Sequence, residues 1–206
     1  MKSRLILLSM VAGALSFTAC NKGVTEETKT SMATFEASWT ETGNNAATFG
    51  TDLTNEYNKC KEHCDKQTAM MNTMPEKMKK DAAMMSKMTE MDNADHTNLT
   101  DLEGMTKDYT AFKTSWDQMS TDYNTWKEKV NKGEVNNEEA VNAMKEWNTK
   151  LENAKTQLGT WNTAYNTTKE NTEKSMAACD DMVNNMNKPA TPPAKPAKPT
   201  PPTKKK

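Results

Sequence analysis

Apolar residues recur at alternating steps of three and four along most of this chain, and this spacing constrains the fold more than any other feature. One run covers residues 102–130, a second covers 147–186, and a less regular run covers 32–74. Steps of three and four average 3.5 residues, which is the repeat of helices that pack side by side. No stretch shows the sustained alternation of a strand, so the sequence predicts an all-α fold. Four tryptophans at these spacings are interpreted as core residues: Trp116, Trp126, Trp147 and Trp161.

Turn and capping residues mark the ends of the predicted helices. Thr73-Met-Pro-Glu76 resembles a capping box, with its proline in the first helical turn. Gly133 is a helix terminator, and Asn136 with Glu139 predicts the next N-cap. Because short connections make successive helices antiparallel, we expect an elongated up-down-up three-helix bundle over 25–187. A dimeric or trimeric coiled coil is the structural alternative. The predicted helices are about 25–72, 74–131 and 137–187.

The C-terminal segment has a different composition from the body. Seven of the eight prolines lie in 189–202, and six lysines lie in 188–206. Such a segment cannot bury a core, so we predict that 188–206 is a disordered tail. It is either a solvated spacer or an electrostatic contact to an anionic surface such as cell wall or lipid headgroups.

The charge of the body argues against nucleic acid as a partner. Of the 27 basic residues, two lie before residue 20 and six in the tail, so the body from 20 to 187 carries 19 basic against 28 acidic residues. Arg4 is the only arginine. Sequence-specific DNA readers and phosphate clamps depend on arginine.

The N-terminus has the three parts of a secretion signal. Lys2 and Arg4 precede an apolar run from Leu5 to Leu15, which is short for a membrane span. The following Phe17-Thr-Ala-Cys20 resembles the lipobox of bacterial lipoproteins, with phenylalanine where leucine is usual. The resemblance implies a signal peptide over 1–19, lipidation of Cys20 and a linker over 20–24. An ordinary secretory signal with a free Cys20 is the alternative.

The remaining cysteines are Cys60, Cys64 and Cys179. Folding the predicted hairpins about residues 74 and 134 places Cys60 level with Met88, Cys64 level with Met84, and Met88 level with about residue 180, so the three cysteines fall at one end of the bundle within about a turn or two of each other. Export places these thiols in an oxidising compartment. The first interpretation is a disulfide from Cys179 to Cys60 or Cys64, with methionines as core filler.

The second interpretation of this cluster is a soft-metal site. Thiolate and thioether ligands select Cu(I), and His63 lies between the two cysteines of the first helix. The candidate ligands are Cys60, His63, Cys64, Cys179, Met84 and Met88.

The sequence predicts no catalytic site, because the only histidines are His63 and His96 and no convergent set of acid, base and nucleophile is apparent. We therefore expect a non-enzymatic protein without cofactor. It would be held to a bacterial envelope membrane by its lipid and act as a spacer or as an interaction protein for an unknown partner. The alternative function is Cu(I) binding through the Cys/Met-rich end of the bundle.

Overall fold

The computed structural model describes residues 23–186, with side chains through residue 184. The described residues form helices and no strand, so the predicted all-α class is confirmed for this part of the chain. The signal peptide, Cys20 and the tail over 188–206 lie outside the described residues. The helices are α1 Glu26–Thr73, α2 Glu76–Lys79, α3 Ala82–Asn131 and α4 Asn137–Met186.

The chain divides into two compact units. Unit 1 contains 23–49 and 108–160, and unit 2 contains 50–107 and 161–186. Helix α1 is continuous through Gly43 and the two asparagines that follow it, since local backbone hydrogen bonding outweighs the modest helix propensities of these residues.

The connection between α3 and α4 follows the predicted turn chemistry. Gly133 has a φ of 73°, and Glu134 N–H donates to the Lys129 carbonyl at 3.0 Å, which closes α3 with a glycine-dependent cap. The Asn136 side chain accepts a hydrogen bond from Glu139 N–H at 2.9 Å, and the Glu139 carboxylate accepts one from Asn136 N–H at 3.1 Å. The predicted capping box is therefore confirmed.

The connection between α1 and α3 differs from the prediction of one helix over 74–131. Pro75 precedes the four-residue α2, which has no side-chain cap, and the Thr73 hydroxyl donates back to the Ala69 carbonyl. The predicted capping box at Thr73 is wrong. Helix α3 starts after Asp81, whose carboxylate accepts a hydrogen bond from Met84 N–H at 3.1 Å. This side-chain cap competes with continuation of the backbone helix from α2.

Unit 1 has an aromatic core. Trp39 stacks on Trp116 with ring centroids 4.0 Å apart, and Phe35 lies 4.8 Å from Tyr123. Trp147 meets Trp39 edge-on at 6.4 Å, so α4 joins the same cluster. Rising residue numbers in α1 meet falling numbers in α3, so these two segments are antiparallel within unit 1. The expectation that Trp126 is core is wrong, because it is only half-buried.

Unit 2 has a smaller and more polar core. Leu53, Met88 and Leu102 are each at most 1% exposed. The Tyr57 hydroxyl donates to Glu103 at 3.2 Å, and Tyr165 donates to the Asp52 carbonyl at 3.4 Å. Within this unit, α3 is antiparallel to α1, because Tyr57 meets Glu103 while Cys60 meets Asp95.

Candidate functional site

The candidate site lies in unit 2, where one face of α1 carries polar and sulfur side chains into the interior. Cys60, Cys64 and Gln67 follow the steps of four and three that keep residues on one helical face. They are 0%, 4% and 2% exposed, respectively. His63, one residue before Cys64, is half-buried at the edge of this face.

Asp95 of α3 is the centre of the cluster. It is 0% exposed, and its Oδ2 lies 3.2 Å from Nε2 of His63. The alignment of these atoms is too poor for a hydrogen bond, and neither Asp95 carboxylate oxygen has a hydrogen-bond partner among the described residues. The Cys60 thiol donates to the Asp95 backbone carbonyl at 3.8 Å. The His63 imidazole is therefore a close polar neighbour of a carboxyl group that this site offers little other compensation.

Asp95 was not predicted from the sequence, although the apolar spacing of α3, extended toward the start of the helix, contains a signal for it. Steps of four and three backward from Leu102 lead to Asn98 and Asp95, and all three residues are buried. The buried face of α1 also includes a charged residue. Glu56 is buried at 5% exposure, whereas the neighbouring Tyr57 is half-buried.

The register between α1 and α3 differs from the expected one. Cys60 faces Asp95, not Met88, a displacement of seven residues or two helical turns. The hairpin is centred halfway between the end of α1 at Thr73 and the start of α3 at Ala82. The prediction placed that centre near residue 74, because it did not include α2 and its turn in the connection.

The three thiols are nevertheless brought near one carboxylate, and all three are buried and free in this structure. Burial raises the pKa of Cys60, and contact with Cys64 offsets part of this rise. Burial, followed by the neighbouring Cys60 and Asp95, raises the pKa of Cys64 to about 12. Burial and the Asp95 charge also raise the pKa of Cys179. All three thiols are therefore protonated at neutral pH, which makes them weak nucleophiles.

The predicted disulfide from Cys179 to Cys60 or Cys64 is not formed in this structure, where the three thiols are free, and it stays a prediction for the exported protein.

The predicted metal ligands occupy different environments. Cys60, His63, Cys64 and Cys179 lie near Asp95. Met84 and Met88 do not share one environment either, because Met84 lines a surface groove and Met88 is buried at 1% exposure. Within 23–186, no three histidine, cysteine or acidic side chains are arranged around one point as ligands of a metal ion.

The groove is the second feature of unit 2. It has a volume of about 930 Å³ and is open to solvent. Four methionines contributed by α2, α3 and α4 give it an apolar lining, and charged residues from these helices and from the turn between α2 and α3 are interspersed with them. The lining residues are Lys77, Met78, Asp81, Ala83, Met84, Lys87, Glu90, Met91, Ala178, Asp181 and Met182.

No protein-family model, curated protein or solved structure matches this chain. Among the helices of 23–186, none combines the length and the apolar character that crossing a bilayer requires.

Proposed function

We propose that this chain is a lipid-anchored, non-enzymatic interaction protein of the bacterial envelope, and that it binds a partner protein through the methionine-lined groove of unit 2. Its anchor is the lipidated Cys20, and its helices form an up-down-up bundle. The observation that carries the proposal is the groove itself, with about 930 Å³ of open volume and four methionine side chains in its lining.

Methionine suits a surface that receives apolar side chains of a partner. Its unbranched, polarizable side chain adapts to different shapes, and methionine-rich surfaces are common where proteins bind amphipathic helices. Met78, Met84, Met91 and Met182 supply such a lining here, while Lys87 and Glu90 supply charges beside it. A helix with an apolar face and mixed charges along its edges fits this chemistry best.

The thiol cluster supports a structural role over a catalytic one. Cys60, Cys64 and Cys179 are buried, and their raised pKa values keep them protonated at neutral pH. A catalytic cysteine requires an exposed, electropositive setting that lowers its pKa. The acidic Asp95 has the opposite effect, because its charge raises the pKa of all three thiols.

Site-specific photo-crosslinking in the lipidated protein tests the groove. A crosslinker at Lys87, within the groove, should capture a discrete partner, and one at Asp101, exposed on the same helix, should not. Met84→Glu combined with Met182→Glu should abolish the adduct, because each carboxylate would be desolvated by a bound apolar face. The matched charge control, Thr100→Glu combined with Asn171→Glu at two exposed positions outside the groove, should retain it. An adduct that survives the methionine substitutions contradicts the proposed groove.

The membrane anchor has its own test. Cys20→Ser should leave the protein unprocessed or free of the membrane, and the intact mass of the native protein should include acyl chains on a mature chain beginning at Cys20. A mature N-terminus elsewhere, without acyl mass, contradicts the anchor.

The tail is proposed as a contact to an anionic surface. Removing 188–206 should weaken binding to cell wall or anionic vesicles, and salt should weaken the binding of the full chain, because it screens the lysines. Salt-insensitive binding that persists after truncation would mean that the tail is a spacer.

A second candidate function is Cu(I) binding, favoured by the four thioethers of the groove. Thioethers have no proton to lose, whereas the buried thiols must be deprotonated before they bind a metal. We therefore place the leading soft-metal candidates at Met78, Met84, Met91 and Met182, with the set around Cys60, His63, Cys64 and Cys179 as the alternative.

A further inference from the structure

The first described residues of the chain are tied to the connection between α3 and α4 in unit 1. A Cβ atom at Gly23 would lie 2.7 Å from the Val135 carbonyl oxygen, so only glycine permits the observed backbone contact. Val24 and Val135 are buried at 6% and 9% exposure. The backbone at residue 23 therefore lies directly against the connection.

Hydrogen bonds hold the next turn to the same place. Oδ1 of Asn137 accepts a bond from the Thr25 N–H at 3.0 Å and one from the Thr28 hydroxyl at 2.8 Å. The Thr25 hydroxyl donates to the same oxygen at 3.1 Å. Thr28 is only 4% exposed, and its hydroxyl is paired with this oxygen and with the Thr25 hydroxyl at 3.1 Å. The start of α1 is thus fixed to the start of α4 by both backbone and side-chain groups.

The chain between this fixed point and the proposed lipid is very short. Cys20 precedes Gly23 by three residues, which span at most roughly 11 Å when fully extended. A lipidated Cys20 lies at the headgroup level, since its acyl chains enter the bilayer. The contact at Gly23 then leaves no room for a long spacer between the membrane and the connection.

We propose that the α3–α4 connection is a membrane-facing surface, with the lipid headgroups of the anchoring bilayer as its partner. Lys132, Gly133, Glu134 and Asn136 are exposed there and form the surface that meets the headgroups. This inference rests on the proposed lipidation of Cys20. Beyond the lipid anchor itself, it specifies which face of unit 1 is turned to the membrane.

Fluorescence quenching in vesicles tests this orientation. The lipidated protein is reconstituted into phosphatidylethanolamine–phosphatidylglycerol vesicles that contain a lipid with a nitroxide on its headgroup. A fluorophore is attached through Lys132→Cys or, as a matched control about 30 Å further along α3, through Ala111→Cys. Both positions are exposed, and protein without an added cysteine corrects for labelling of the buried thiols.

The label at position 132 should be quenched several-fold more than the label at position 111. Inserting roughly twelve Gly and Ser residues between Asn21 and Lys22, with a mean span of about 20 Å, should reduce this quenching without releasing the protein from vesicles. Equal quenching at the two positions, or none at 132 in vesicle-bound protein, overturns the inference while the anchor stands. Failure of the native protein to float with vesicles overturns the anchor itself.

Discussion

Nε2 of His63 lies 3.2 Å from Oδ2 of Asp95, and the aspartate has no exposed surface. Burying a carboxyl group costs free energy unless nearby polar groups compensate it, and the described residues of unit 2 offer the Asp95 oxygens no hydrogen bond. The pair is therefore a point where unit 2 is sensitive to loss of a single side chain.

We expect His63→Ala to lower the free energy of unfolding by about 1–3 kcal/mol, since it removes the imidazole beside the buried Asp95 carboxyl group and leaves that group uncompensated. The double variant His63→Leu with Asp95→Leu should recover most of this loss, because two apolar side chains need no compensation. Urea unfolding of the mature protein, followed by circular dichroism, measures both. A double variant as unstable as the single one would show that the pair is not the source of the loss.

The raised pKa of the Cys64 thiol predicts that the protein loses stability at alkaline pH. Its pKa is raised from 9.0 to about 12 by burial, Cys60 and Asp95, so the folded protein keeps a proton that the unfolded chain releases between these values. The contribution of this thiol to the free energy of unfolding is complete below its pKa in the unfolded chain and is lost as pH rises through its pKa in the folded protein. The stability difference between the native protein and Cys64→Ser should therefore narrow above pH 9. Met88→Leu, a buried change without titration, should show a constant difference.

We expect a disulfide from Cys179 to form in the exported protein. Air or glutathione disulfide should oxidise Cys179 with either Cys60 or Cys64, and thiol titration under denaturing conditions should then find one free thiol. The bond closes a loop of more than a hundred residues, which corresponds to about 4–5 kcal/mol in the chain-entropy model, so reduction should lower the melting temperature. Three free thiols after oxidation would contradict this prediction.

Leu102 tests the core of unit 2. It is 0% exposed, so Leu102→Ala should cost about 2–5 kcal/mol through lost burial and a residual cavity. Leu99→Ala, the same substitution at a half-buried site three residues away, should cost clearly less. Equal losses in urea unfolding would contradict the observed packing of α3.

Silver(I), a stable substitute for Cu(I), distinguishes the two candidate ligand sets. Met84→Leu with Met182→Leu should weaken binding at least tenfold if the groove holds the ion, and Cys60→Ser with Cys64→Ser should have little effect. Affinity through thioethers should also change little between pH 5 and 8, in contrast to affinity through thiols. Competition titration gives both quantities. Loss of binding only in the cysteine variant would support the thiol set, and no binding by the native protein would contradict both.

The sequence determined the helices and most of their faces. Helix formation is governed by local hydrogen bonds and by the repeat of apolar residues, so the long helices and the buried positions of Leu102, Trp116 and Leu158 could be predicted. The cap at Asn136 and the helix end at Gly133 could also be predicted from the sequence. Each depends only on groups within a few residues of itself.

Only the tertiary structure decided which residues meet between helices. The conformation of residues 74–81 sets the hairpin centre, and a shift of a few residues there moved Cys60 from Met88 to Asp95. The burial of Asp95 and Glu56 could likewise not be predicted from the sequence, since charged residues are normally assigned to solvated faces. The contact between Gly23 and Val135 joins residues far apart in the chain, and no local preference of either residue specifies it.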